Sequence, residues 1–101
     1  MATTNFSKHM TKDRVDRYVV IATKVGFGET LYVKQERNKY GLTKVELTST
    51  GVLIVRSMDE TIITMFCATI SIAKKHFEVE RFPKHLYNSL RLNERKGYCN
   101  I

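Results

Sequence analysis

Four polar residues near the C-terminus recur at intervals that place them on one side of a helix. They are Lys84, Asn88, Arg91 and Arg95, at successive spacings of four, three and four. Side chains at these spacings lie above one another along a helix. Guanidinium groups bind phosphates through paired hydrogen bonds, and an amide can bond to a base edge or a sugar. The pattern therefore predicts a partner-binding face, although a solvated helix face with favourable cations near its C-terminal end has the same composition.

Two further groups of basic residues extend this candidate surface. The first group is Lys74, Lys75 and Arg81, which precede the last predicted helix. The second is the turn "RNKYG", with Arg37, Lys39 and Tyr40. Basic residues interleaved with an aromatic ring are typical of contacts with single-stranded nucleic acid. A tyrosine beside a turn can equally cap the edge of the core, with its ring buried and its hydroxyl in water.

A catalytic chemistry would instead depend on Arg56 and Thr64. If residues 52–57 and 61–66 pair through the "MDE" turn, Ile62 lies opposite Arg56 and Thr64 is a diagonal neighbour on the same face. A cation and a hydroxyl can bind a phosphate and stabilise the charge that develops in RNA cleavage. Arg56 could instead extend into water or pair with Glu60.

Other motifs for catalysis, metals and cofactors are not found in the sequence. No histidine lies near a serine or cysteine at the spacing of a known nucleophile family, so each is predicted to lie at the surface. Cys67 and Cys99 are far apart and have no metal-ligand spacing, which predicts two reduced thiols, with Cys67 in the core. The "GFG" at 26–28 lacks the lysine and the strand–loop–helix order of a phosphate-binding loop. We therefore predict no cofactor and no metal.

Composition and charge describe a small basic globular protein. The 101 residues suffice for one domain, 1–101, with an ordinary 43% apolar and 27% charged share. No apolar run is long enough to span a bilayer, and the N-terminus lacks the apolar centre of a signal peptide, which points to the cytoplasm. Lys and Arg outnumber Asp and Glu 17 to 10, and the excess is spread along the chain. A folded face is thus expected to attract polyanions or acidic protein surfaces.

Hydrophobic periodicity predicts an α+β fold. A short helix is expected within residues 5–17, followed by alternating or β-branched segments that indicate strands. The strand segments are 17–25, 30–37, 42–50, 52–55 and 61–67. The hydrophobic period becomes helical from Ala68, which predicts a first C-terminal helix. A second apolar stripe lies between Pro83 and Gly97, which predicts a further helix with these residues at its ends. The expected architecture is a twisted antiparallel sheet of about five strands with a short N-terminal helix and C-terminal helices.

This order of elements resembles the small ribonuclease-type fold shared by RelE-like and barnase/EndoU/colicin-type toxins. The resemblance covers residues 5–67: a short N-terminal helix with a histidine and basic residues, then a sheet whose late hairpin ends in "TIITMF". The last helix is additional. The resemblance implies a toxin-type ribonuclease in which His9, Arg56 and Thr64 would form the site, and small basic proteins of phages and mobile elements are often built this way.

The sequence leaves three functions open. The first is non-enzymatic binding of RNA, DNA or a nucleoprotein through the last helix and nearby basic loops. The second is that of a phage or mobile-element inhibitor or adaptor, whose basic face would bind an acidic protein surface. The third is metal-independent cleavage of RNA by the His9, Arg56 and Thr64 set. None of the three involves a membrane.

Overall fold

A four-stranded antiparallel sheet lies at the centre of the fold. The computed structural model describes residues 12–39 and 41–98, and the side chains of all of these except 12–15. The strands are β1 (Thr30–Asn38), β2 (Gly41–Thr48), β3 (Val52–Ser57) and β4 (Ile62–Cys67), and they lie in this order across the sheet. Each strand pairs with the next through a short hairpin, so β1 and β4 form the two edges of these four.

Helices cover both faces of this sheet. They are α1 (Lys12–Val20), which continues into a turn of π-helix (Ile21–Val25), α2 (Ile70–Phe77) and α3 (Lys84–Lys96). The α1 segment packs on one face, which we call the α1 face, and α2 and α3 pack on the other, which we call the α2–α3 face. The fold class is therefore α+β, as the periodicity predicts.

The β3 strand divides its side chains between two hydrophobic clusters. Val52 and Ile54 contact the α1 face cluster, together with Ile21. Leu53 contacts the α2–α3 face cluster, together with Leu86 and Leu90. Side chains alternate across a strand, so an all-apolar strand is one that is covered on both faces. Burying each such aliphatic side chain contributes about 1.5–3 kcal/mol.

The segment 17–25 is helical, so the prediction of a strand there, and with it the count of five strands, is wrong. Its β-branched residues favour a strand locally, but tertiary packing overrides this preference. Tyr18, Ile21 and Val25 lie on one side of the helical segment against the sheet, where Ile21 is 1% exposed, while Val19 faces solvent. The helix predicted within 5–17 is displaced, since α1 spans Lys12–Val20 and extends past the predicted end, and residues 5–11 lie outside the described part of the chain.

The C-terminal helices have well-defined ends, and those of α3 lie at the predicted Pro83 and Gly97. Thr69 caps α2 by accepting a hydrogen bond from the Ile72 backbone N–H at 3.1 Å. Pro83 immediately precedes α3, and Gly97 ends it in the left-handed conformation, with a φ of 79°. Both residues favour helix boundaries of this kind. None of the helices in 12–39 and 41–98 is long and apolar enough to cross a membrane.

Candidate functional site

The buried side of α3 fixes the helix on the sheet. Leu86 and Leu90 are fully buried in the α2–α3 face cluster. One turn further on, the buried Asn93 donates a hydrogen bond from Nδ2 to the Thr50 carbonyl oxygen at 2.8 Å. A Cβ atom at Gly51 would lie 2.9 Å from that Nδ2, and its φ of 80° also favours glycine. The β2–β3 turn and α3 are thus closely fitted, which sets the orientation of the opposite side of the helix.

The opposite side of α3 carries the four polar residues singled out by their spacing. We call them the α3 ridge: Lys84, Asn88, Arg91 and Arg95, all exposed to solvent. Nine of the 13 residues of α3 are exposed, so well over half of the helix circumference is accessible. The structure therefore confirms that one side of this helix packs and that the other is basic.

Two neighbours shape the ridge. The Arg91 guanidinium carbon lies 5.9 Å from the centre of the Tyr87 ring, one helical turn away, within the range of a cation–π contact. Tyr87 is itself 37% exposed, so it belongs to the surface and not to the apolar stripe of the helix. The exposed Leu92 lines a shallow groove together with Asn88, Arg91, Glu94 and Arg95.

The single carboxylate of α3 lies beside the ridge and accepts a hydrogen bond from the start of α2. Glu94 accepts a hydrogen bond from the Ile70 backbone N–H at 2.8 Å, at the N-terminus of α2. A carboxylate is favourable at that position, where helical N–H groups have no intrahelical partner. Consequently Glu94 forms no ion pair with Arg91 or Arg95 within the described residues.

The exposed cations around α2 and α3 also lack ion pairs with carboxylates of the described residues. We define the α2–α3 basic layer as Lys74, Lys75, Arg81, Lys84, Arg91, Arg95 and Lys96. All seven are exposed, and none forms an ion pair with a carboxylate in the part of the chain that the structure describes. The two helices share one face of the sheet, so these charges share one side of the molecule.

The predicted turn site does not join this layer. Lys34 and Glu36 contact His76 of α2, so the alternation along β1 places Arg37 on the α1 face. Arg37 is exposed there, and Lys39 is exposed in the following turn. Tyr40 lies outside the described residues. The structure thus separates Arg37 from the α3 ridge by the thickness of the sheet.

Arg56 belongs to a network of ion pairs on the α1 face. Its Nε lies 3.3 Å from Glu46 Oε2 and 3.9 Å from Glu60 Oε2. Lys44 also pairs with Glu60. The hydrogen bond from Lys44 lowers the pKa of the Glu60 carboxyl. The hydrogen bond from the Ser57 hydroxyl lowers the pKa of the Asp59 carboxyl in the same turn. The pairing with Glu60, one of the two structural roles expected for Arg56, is present.

Arg56 and Thr64 lie on opposite faces of the sheet, so the expectation that they share one is wrong. Ile62 does lie opposite Arg56, but the pairing shifts next to it, and Thr64 lies opposite Val55. Val55 points to the α2–α3 face, whereas Arg56 and Ile54 border a cleft of about 290 Å³ beside α1. A register shift of one residue reverses the face of every side chain beyond it. His9, the third member of the set, lies outside the described residues.

A pair that the sequence did not indicate joins α2 to β1. His76 Nδ1 lies 2.9 and 3.0 Å from the two oxygens of Glu36, and Lys34 Nζ donates to the His76 carbonyl oxygen at 2.5 Å. The sequence predicts a surface position for His76, and the structure shows a half-buried side chain that contacts Glu36. Its partner is 40 positions away, and no local spacing rule connects them. The only available signal is the alternation that places Lys34 and Glu36 on one face of β1.

Comparisons with known proteins leave the function to be argued from these surfaces. No family model, no curated protein and no solved structure matches the chain. The resemblance to ribonuclease-type toxins therefore stays a hypothesis. Within 12–39 and 41–98, no three His, Cys, Asp or Glu side chains come together in a way that could hold a metal ion.

Proposed function

We propose that the protein is a non-enzymatic nucleic-acid-binding protein that contacts the phosphate backbone through the α2–α3 basic layer. One observation carries this proposal: the seven cations of the layer are exposed and have no carboxylate partner among the described residues. Lysine and arginine side chains without an internal partner can each neutralise one phosphate and release its counterions.

The local excess of charge supports a polyanionic partner. Residues 70–98 contain seven Lys and Arg against three Asp and Glu, and one of the three, Glu94, is bonded to the α2 N-terminus. Potentials of several kT arise where charges of one sign cluster on a surface, and they attract a polyanion before contact. The rigid attachment of α3 through Leu86, Leu90 and Asn93 means that its cations need little ordering of the backbone on binding.

Salt dependence of binding tests the proposal. Fluorescence anisotropy with labelled 20-mers of DNA and RNA, at several salt concentrations, gives the slope of log Kd against log salt. Lys84→Gln combined with Arg95→Gln should weaken binding and lower that slope by about 1.8 for a duplex or about 1.4 for a single strand, because two phosphate contacts are lost. Both side chains are exposed, so circular dichroism should show an unchanged fold.

A matched double variant controls for net charge. Lys24→Gln combined with Arg37→Gln also removes two positive charges, but from exposed positions away from the α2–α3 face. It should leave the slope within about 0.5 of the wild type, because these side chains would contact no phosphate. An equal loss in both double variants would show that the α2–α3 face is not the binding surface.

The competing functions give different results with the same reagents. If the wild type binds neither DNA nor RNA at low salt, the proposal is wrong and an acidic protein surface becomes the partner to pursue. If the labelled RNA is cut without added metal, and Arg56→Ala abolishes the cutting, the protein is a ribonuclease and the non-enzymatic proposal is wrong. Intact RNA bound with a steep salt slope supports the proposal.

A further inference from the structure

The exposed side of α3 has the dimensions of an element that enters a nucleic-acid groove. The helix has 13 residues, so it is about 20 Å long, and nine of the residues are exposed. The major groove of B-form DNA is about 12 Å wide and admits an α-helix, whereas the major groove of A-form RNA is deep and too narrow for one. From the side chains of the α3 ridge, we infer that the ligand is double-stranded B-form DNA, with α3 in its major groove; this rests on the proposed function.

The middle of the α3 ridge carries side chains that can read bases. Asn88 can bond to the major-groove edge of adenine, and Arg91 to that of guanine, each with two hydrogen bonds. The contact with Tyr87 limits the orientations of the Arg91 guanidinium before binding. Leu92 is 41% exposed and follows Asn88 by one turn. An exposed leucine at that position can contact the methyl group of a thymine, a contact of the apolar kind that the major groove offers.

The ends of the α3 ridge carry the charges that would hold the helix in the groove. Lys84 and Arg95 are 11 positions apart, which corresponds to about 16 Å along the helix. Groove-bound helices are positioned by contacts of this kind to the phosphates on the two sides of the groove. Lys84 and Arg95 would therefore fix the position, and Asn88 and Arg91 would select the sequence.

A single-stranded ligand fits this surface less well. Proteins that bind single strands present aromatic rings on which successive bases stack. Tyr87 is the one aromatic residue of α3 apart from His85, and Arg91 lies over its ring. The exposed side of α3 thus offers cations and an amide, and no row of stacking rings.

Groove occupancy can be measured directly with the purified full chain. We expect anisotropy to show at least about tenfold tighter binding to a 20-bp DNA duplex than to an RNA duplex of the same sequence, because α3 cannot enter the A-form major groove. Methylation of guanine N7, which projects into the major groove, should interfere with binding. Netropsin, a ligand of the minor groove, should not compete with α3. Equal affinity for the two duplexes, or no effect of methylation, would overturn the major-groove inference while leaving the proposed function intact.

Variants of the α3 ridge distinguish the residues that would recognise bases from those that would contact phosphates. Selection from random duplexes should enrich a short motif with the wild type, and Asn88→Ala or Arg91→Ala should relax it at one position each, by about 5- to 100-fold in discrimination. Lys84→Gln should instead weaken all sequences alike and reduce the salt slope by about 0.9. No motif with the wild type would overturn the base-reading role. Failure to bind any nucleic acid would overturn the proposed function itself, which is a different result.

Discussion

The cations of the sheet and those of the α2–α3 basic layer differ in how their charge is compensated. Three of the four cations in the strands, Lys34, Lys44 and Arg56, each pair with a glutamate, and the fourth, Arg37, is exposed at the edge strand β1. In the α2–α3 basic layer, no cation pairs with a carboxylate of the described residues. The sequence reflects this difference, since residues 30–67 contain five Lys and Arg against four Asp and Glu, and residues 70–98 contain seven against three.

This difference separates cations that stabilise the fold from cations available to a partner. The side chains of Arg56 and Glu46 are only 25% and 13% exposed, so their interaction is less screened by water than an exposed pair would be. A fully exposed lysine or arginine without a partner contributes almost nothing to stability. Its charge is available to an external anion at no cost to the fold.

The largest expected effect separates the two sides of α3. Leu90→Ala removes a fully buried side chain and should lower the free energy of unfolding by about 3 kcal/mol, measured by urea denaturation. Leu92→Ala makes the same change two positions later, at a side chain that is 41% exposed. We expect it to cost less than about 0.5 kcal/mol. Similar losses in the two variants would contradict the orientation of α3.

A smaller effect compares a paired cation with an unpaired one. Arg56→Gln should lower the free energy of unfolding by about 1 kcal/mol, because it leaves the half-buried Glu46 without its cation. Arg95→Gln removes an exposed cation with no described partner, and we expect a change within about 0.5 kcal/mol. Urea denaturation at low salt measures both. An Arg95 variant as unstable as the Arg56 variant would remove the distinction between the two regions.

Removing the negative charge of Glu94 should strengthen nucleic-acid binding, whereas removing cations should weaken it. Glu94→Gln keeps an oxygen that can accept the Ile70 N–H but removes a negative charge beside the α3 ridge. Affinity for nucleic acid should rise about two- to fivefold at low salt, the size of one charge interaction near a surface. Glu29→Gln is the matched control at an exposed position outside α2 and α3. A gain as large with that variant would mean that net charge, and not the layer, governs binding.

The smallest effect concerns the acidic residues of the β3–β4 turn. Hydrogen bonds from Ser57 and Lys44 lower the pKa of Asp59 and Glu60 from their ordinary values of 3.8 and 4.5. Carboxylates with a lowered pKa stabilise the fold above those values, and this contribution is lost as the pH falls through the lowered pKa of each. The melting temperature of the wild type should therefore fall as the pH is lowered from 5 to 3. The fall should be smaller in the double variant Asp59→Asn with Glu60→Gln.

Glu80→Gln is the control for the loss of negative charge alone. Glu80 is exposed and forms no ion pair within the described residues. The double turn variant should keep its reduced dependence on pH when compared with this control. An identical pH profile in the wild type and the turn variant would show that the hydrogen bonds from Ser57 and Lys44 do not act on stability.

Local pattern was sufficient for much of the fold and for the α3 ridge. The period of two in "LTKVELTST" and the apolar run in "VLIV" identified β2 and β3, because a strand exposes alternate residues to alternate faces. In α3, Pro83, Gly97 and the spacing of Phe82, Leu86 and Leu90 identified its ends and its buried side. A helix with one buried stripe necessarily exposes the residues opposite, so the ridge followed from the same pattern.

Only the tertiary structure decided what depends on contacts between distant segments. The helical form of residues 17–25 follows from the packing of Ile21 against the sheet, which outweighs a local preference for strand. The pairing of His76 with Glu36 spans 40 positions, and the opposite faces of Arg56 and Thr64 follow from a shift in strand pairing next to Arg56. Propensity and spacing act over a few residues, whereas strand register and the docking of helices are set by the free energy of the whole packed core.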